Sequence, residues 1–97
     1  MSSGQGSVAN NEKGGFEVYR GSKAALNTFM RSYAARHRQS GRTLLLLAPG
    51  YVRTDMGGPG ASFSVEETVP QLVDTVEAQR GKGGLQYLDR FGAPIPW

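Results

Sequence analysis

The chain has 97 residues, of which 38% are hydrophobic and 20% charged, a balance that suits one globular domain or part of one rather than a disordered tail. It has no cysteine and a single histidine, His37, which excludes disulfides, thiolate catalysis and any cysteine- or histidine-cluster metal site within one chain. A net charge of +3 tolerates an anionic ligand without implying nucleic acid.

Residues 1–18 are rich in Ser, Gly and Asn and read as loop. The first ten hold too little apolar content for a signal peptide. A helix is expected from near Tyr19 to Arg38, because Leu26, Phe29, Met30, Tyr33 and Ala34 step by three and four. Arg31 and Arg38 fall on the opposite side and Arg36 flanks the stripe. Arg36 and Arg38 suit the carboxyl end of a helix dipole, and Gly41 is a plausible stop. Thr43 to Ala48 contains four leucines in a row, Leu44 to Leu47, which suits a strand buried on both faces of a parallel sheet. The apolar run Leu44 to Ala48 is far too short to span a membrane. Pro49-Gly50 ends the strand, and residues 51–63 form a long loop. Ser64 is a good helix cap, with Glu67 three residues on completing a capping box. Val65, Val69, Leu72, Val73 and Val76 form one apolar stripe, and Pro70 is expected to kink this helix or delay its start. Gly81, Gly83 and Gly84 break the chain, Leu85 to Leu88 is a short last strand, and Phe91 to Trp97 is a tail.

The order is loop, helix, strand, loop, helix, strand, a βαβ-type pattern that lacks its beginning. The fold class is therefore α/β and incomplete: a two-stranded parallel sheet cannot cover two amphipathic helices. Tyr19 and Lys23 are four residues apart and share one helix face. A phenol ordinarily loses its proton near pH 10, too high for transfer at neutral pH. A nearby ammonium favours the phenolate, and such a phenol can give or take a proton at a carbonyl or alcohol oxygen. The spacing alone is equally that of many helices where tyrosine and lysine meet by chance.

Its context is more specific. The string Tyr19-Arg20-Gly21-Ser22-Lys23-Ala24-Ala25-Leu26-Asn27 closely resembles the active-site helix of the short-chain dehydrogenase/reductase family, whose motif is Tyr, three residues, then Lys. Upstream, Ser2-Ser3-Gly4-Gln5-Gly6-Ser7 is similar to the family's serine segment, in which a serine is followed three residues later by glycine, as Ser3 is by Gly6. Downstream, Pro49-Gly50-Tyr51-Val52-Arg53-Thr54 resembles the loop that holds the nicotinamide. The tail, with Asp89-Arg90-Phe91-Gly92 and Ile95-Pro96-Trp97, resembles a bacterial subgroup of C-factor-like members. The resemblance runs over nearly the whole chain and weakens in the last third.

The resemblance implies the carboxyl-terminal part of a Rossmann-type doubly wound parallel sheet, with residues 1–97 a partial domain. It implies Tyr19 as general acid/base at the substrate oxygen. Lys23 would lower the phenol's pKa and hydrogen-bond the nicotinamide ribose. Ser3 would hold the substrate oxygen. Pro49, Gly50 and Val52 would shape the cofactor loop, with Val52 backbone groups on the carboxamide and Thr54 in support. The cofactor would be NAD or NADP, the substrate a small carbonyl or alcohol, and the setting cytoplasmic. The Tyr19–Arg38 helix would be a contact in a homo-oligomer. The segment from Met56 to Phe63, with Gly57, Gly58, Pro59 and Gly60, would border the substrate pocket as a candidate mobile lid. No metal and no nucleic acid enter this reading.

Plainer readings stand beside these. Ser3 is one of several loop serines, and its separation from Tyr19 of 16 residues exceeds the commonest family spacing, which a short insertion around Asn10 to Gly15 accounts for. Pro49-Gly50 can be an ordinary turn, Val52 a core residue and Thr54 a local cap. The family's Gly-rich phosphate turn is not in the sequence, and Gly4-Gln5-Gly6 is no substitute because no strand precedes it. The residue that selects the adenosine ribose and the upstream asparagine of the proton relay are also missing. The expectation is a carboxyl-terminal half, inactive alone. The alternative is a non-catalytic remnant or interaction module associating through the Tyr/Lys helix. A nucleic-acid site at Arg31, Arg36, His37, Arg38 and Arg42 ranks low, because a solvated basic helix end is ordinary and no aromatic interleaving supports stacking.

Overall fold

The computed structural model describes all 97 residues. A 3-10 turn at Gly4–Gly6 precedes helix α1 (Glu17–Arg36), strand β1 (Thr43–Ala48), helix α2 (Val65–Ala78) and strand β2 (Gly84–Asp89). β1 and β2 pair in parallel, from Thr43 opposite Gly84 to Ala48 opposite Asp89, with α2 as the crossover that a parallel pair requires. α1 starts two residues before Tyr19 and ends at Arg36, so Arg38 lies beyond it. Its entry is Phe16 in the left-handed region at φ 49°, after Gly14 and Gly15 with positive φ. Glu17 then puts a carboxylate in the first turn, where the helix dipole favours it.

α2 begins as its sequence predicts. The Ser64 hydroxyl oxygen accepts from the Glu67 amide at 3.0 Å, and the Ser64 amide donates to the Glu67 carboxylate at 3.3 Å. Pro70 sits inside the helix, which continues to Ala78.

The buried apolar residues are few: Leu46, Leu47, Ala48, Ala61, Tyr87 and Leu88. The leucine run supplies the carboxyl-terminal half of β1, and α1 lies over the sheet together with the 3-10 turn. α2 does not bury its valines: Val65, Val69, Val73 and Val76 are 41–51% exposed, while Thr68, Thr75 and Gln79 are buried. Hydrogen bonding fixes that choice of face. The Gln86 amide donates to Gln79 Oε1 at 2.7 Å, Thr75 Oγ1 donates to the Arg90 carbonyl at 2.6 Å, and Arg90 Nε donates to Gln71 Oε1 at 2.7 Å.

The two sheet edges differ. The tail folds back along β2, with Ile95 N–H on the Tyr87 carbonyl and a bridge between Leu88 and Pro94. The outer edge of β1 receives a single bond, from the Ser2 amide to the Leu47 carbonyl at 2.8 Å. The chain exposes 6462 Å², against about 5,400 Å² expected for a compact monomer of its mass. No helix is long and apolar enough to cross a membrane.

Candidate active site

Tyr19 and Lys23 lie on the first turns of α1, where the expected helical spacing brings them together. The Lys23 ammonium stands 5.8 Å from the centre of the Tyr19 ring. It sits over the ring and not on the hydroxyl. Neither the Tyr19 hydroxyl nor the Lys23 ammonium has a hydrogen-bond or ion-pair partner, although two ion pairs form elsewhere in the chain. Ser22, between them, turns its hydroxyl back to the Tyr19 carbonyl at 2.7 Å. Tyr19 is 39% exposed.

The segment that carries Ser3 packs on the same helix through its neighbours Ser2 and Gly6. Gly6 is buried against α1, and a Cβ at that position would lie 2.9 Å from Lys23 Cβ, so only glycine permits the approach. Ser2 Oγ donates to Asn27 Oδ1 at 2.7 Å, one turn beyond Lys23. The Tyr87 hydroxyl donates to the Ser3 carbonyl. The Ser3 hydroxyl oxygen accepts from the Gln5 amide at 3.1 Å, which uses a lone pair and leaves its proton free to be donated.

Sequence pattern gives no role to Ser2, Asn27 or Tyr87. Asn27 is the one fully buried residue of α1, and its Nδ2 is buried without a partner. Its place four residues after Lys23 puts it on the packed face, which is the only local sign of it. Burial pushes the Tyr87 phenol above its ordinary value of 10.0, and the neighbouring Asn27 and Ser2 side chains act in the opposite direction.

The loop expected to face a nicotinamide leaves the same end of the sheet. Ala48 ends β1 one residue after Leu47, the residue that Ser2 engages. Gly50 turns the chain with φ 91°. Val52 then forms a bridge with Phe63, closed by Arg53 N–H to the Phe63 carbonyl at 2.7 Å and Phe63 N–H to the Tyr51 carbonyl at 3.1 Å. The amide and carbonyl of Val52 itself have no hydrogen-bond partner within the chain. Its amide is an unused donor, while its carbonyl oxygen lies against Gly57, where any Cβ would overlap it. Thr54 Oγ1 accepts from the Gly57 amide at 3.2 Å and caps that turn while keeping its own proton to donate. The segment expected to act as a mobile lid is braced from within: Gly58 N–H binds the Thr54 carbonyl, Arg53 donates to the Ala61 carbonyl, and Ala61 is buried. No hydrogen bond joins this loop to Tyr19 or Lys23. The two parts of the site meet through the end of β1.

The family model described as short chain dehydrogenase matches residues 1–63. The C-signal protein of Myxococcus xanthus is 37% identical over 97 residues, which are all of this chain and 58% of that protein. A solved short-chain dehydrogenase/reductase of Burkholderia multivorans with bound NADP is 59% identical, with a TM-score of 0.96, over all of this chain and 42% of its own. A solved carbonyl reductase of Pseudomonas aeruginosa is 39% identical, with a TM-score of 0.87, again over all of this chain and 42% of its own. The chain therefore spans about half the length of the relatives it matches.

Proposed function

The chain belongs to the short-chain dehydrogenase family, and from that premise we propose that it is the catalytic-group-bearing part of an NAD(P)-dependent oxidoreductase acting on a carbonyl or an alcohol. The observation that carries this reading is the Tyr19/Lys23 pair: a phenol and an ammonium on one helix face, both without internal partners, on the helix against which the Ser2–Gly6 segment packs.

The roles follow from the atoms left free. The Tyr19 hydroxyl gives its proton to the substrate oxygen in reduction and takes it back in oxidation. The Lys23 ammonium, on the same helix face and without an internal partner, is free to reach a ribose hydroxyl. Ser3 points its unused proton at the substrate oxygen and stabilises the charge developing there. Val52 offers its backbone amide to a carboxamide, with the Thr54 hydroxyl next in line. NAD(P)H supplies the hydride when bound, and this chain's residues align and polarise the acceptor. The NADP in the Burkholderia relative and the carbonyl reductase activity named for the Pseudomonas one support this cofactor and substrate class.

Residues 1–97 form a partial domain in this reading. The surface in excess of a compact monomer is about 1,000 Å², close to one partner's share of a standard interface. Activity therefore needs an amino-terminal part bearing the phosphate-binding turn. The setting is cytoplasmic, with which a cysteine-free sequence accords. Contact between copies through α1 fits its exposed Val18 and Phe29, 88% and 69% accessible. Those same side chains favour the second reading, a non-catalytic module that associates through α1.

Joining the chain to the amino-terminal part of the Burkholderia relative tests the proposal. Carbonyl-dependent consumption of NADPH by the joined protein is the expected result. A joined protein that folds, binds NADPH and reduces no carbonyl supports the non-catalytic module instead.

A further inference from the structure

Arg90 stands one residue past β2 and is gripped on every side. Nε donates to Gln71 Oε1 on α2 at 2.7 Å, and a terminal nitrogen donates to the Pro49 carbonyl at 3.2 Å, where β1 ends. The guanidinium lies 3.7 Å from the centre of the Phe63 ring and 4.6 Å from that of Phe91. Its backbone is fixed as well, by Thr75 Oγ1 on the Arg90 carbonyl at 2.6 Å. Gly50 completes the fit, since a Cβ there would meet the guanidinium at 2.5 Å.

Pro49 and Phe63 are the two ends of the loop that carries Val52. One side chain therefore closes the loop at both ends, by a hydrogen bond at the first and by stacking at the second. Val52 pairs with Phe63 and sits three residues from Pro49, so the direction of its unused amide depends on both gripped ends. We propose that Arg90 is the positioning residue of this loop: it clamps Pro49 to Phe63 and so fixes the Val52 backbone between them. That this loop serves a nicotinamide rests on the function proposed above; the clamp does not. Lysine cannot replace it, because a point charge on a flexible stem provides neither the fork nor the flat face.

Amide hydrogen exchange in the 97-residue chain tests the clamp. The reporters are the Arg53 and Phe63 amides, which close the Val52–Phe63 bridge. In Arg90→Lys these two should exchange about tenfold faster while the strand amides of Leu46 and Leu88 keep their rates. In Arg90→Ala, millimolar ethylguanidinium should restore protection at both amides and ethylammonium should not. Gln71→Met, which removes one acceptor and leaves Arg90 intact, should speed the same amides and serves if the Arg90 variants do not fold. Unchanged rates at Arg53 and Phe63, a uniform rise across both strands, or rescue by ethylammonium would each overturn the proposal. Exchange is read with no ligand present. A failed clamp therefore overturns this proposal alone, and a failed reductase assay overturns the functional reading alone.

Discussion

Tyr87 shows how residues far apart in the chain set the site. It is 3% exposed, its hydroxyl donates to the Ser3 carbonyl, and Ser2 on the same segment binds Asn27 of α1. Burial raises its pKa above 10.0, so its neutral form stabilises the fold. That contribution is complete below the unfolded value and is lost as pH rises through the raised folded value. Absorbance titration of the phenols is expected to contain a component with its midpoint above 10, which Tyr87→Phe deletes. Asn27→Ala leaves the Ser2 hydroxyl without its acceptor and should cost about 1–3 kcal/mol in chemical denaturation. A cost near zero would mean that the network holds nothing. Tyr19, Lys23 and Ser3 are proposed from short contiguous strings, and the structure puts Tyr19 and Lys23 on one helix face as their spacing predicts. The partnership of Ser2 with Asn27 spans 25 positions, and that of Tyr87 with Ser3 spans 84. No local pattern encodes contacts at such separations.

α2 separates what periodicity reveals from what it leaves open. Its start was legible to the residue, because a capping box is a local hydrogen-bond pattern. Ser64→Ala should cost about 1 kcal/mol, read from the denaturation midpoint. The bond from Ser64 holds Glu67 below the ordinary glutamate value of 4.5, with Arg53 adding to it. A depressed carboxylate contributes stability that is present above the unfolded value and lost as pH falls through the folded one. The first turn of α2 should therefore fray below about pH 4.5, and amide exchange at Glu67 should accelerate there in wild type but not in Glu67→Ala. The buried face was not legible. A stripe of valines predicts an inward apolar side, yet a two-stranded sheet is too narrow to receive it. The polar side is held inward by Gln86 and Arg90 instead. The glycines of the next loop are likewise specific in a way that composition hides. A side chain at Gly57 would overlap the Val52 carbonyl, so Gly57→Ala should displace the loop and shift the Val52 amide resonance.

At the scale of the molecule, the order of elements and the parallel sheet were legible, as was the sheet's incompleteness. The location of the missing cover was not, since it depends on which edge the tail occupies. The radius of gyration is 14.0 Å, against about 12.5 Å for a compact domain of this length. An uncovered β1 edge and an exposed valine stripe make self-association the expected state of the isolated chain. Val69→Lys with Val73→Lys should lower the sedimenting mass at fixed concentration while leaving the melting temperature little changed, because both valines are already about half exposed. The account as a whole rests on Tyr19 being a catalytic phenol that works only in a complete domain. The direct measurement is NADPH-dependent carbonyl reduction, with Tyr19 and with Tyr19→Phe, by the 97-residue chain and by the chain joined to the amino-terminal part of its Burkholderia relative. The account predicts no turnover from either form of the isolated chain, turnover from the joined protein, and its loss by at least about a hundredfold in joined Tyr19→Phe. Tyr19-dependent turnover by the isolated chain, or full activity in joined Tyr19→Phe, would contradict it.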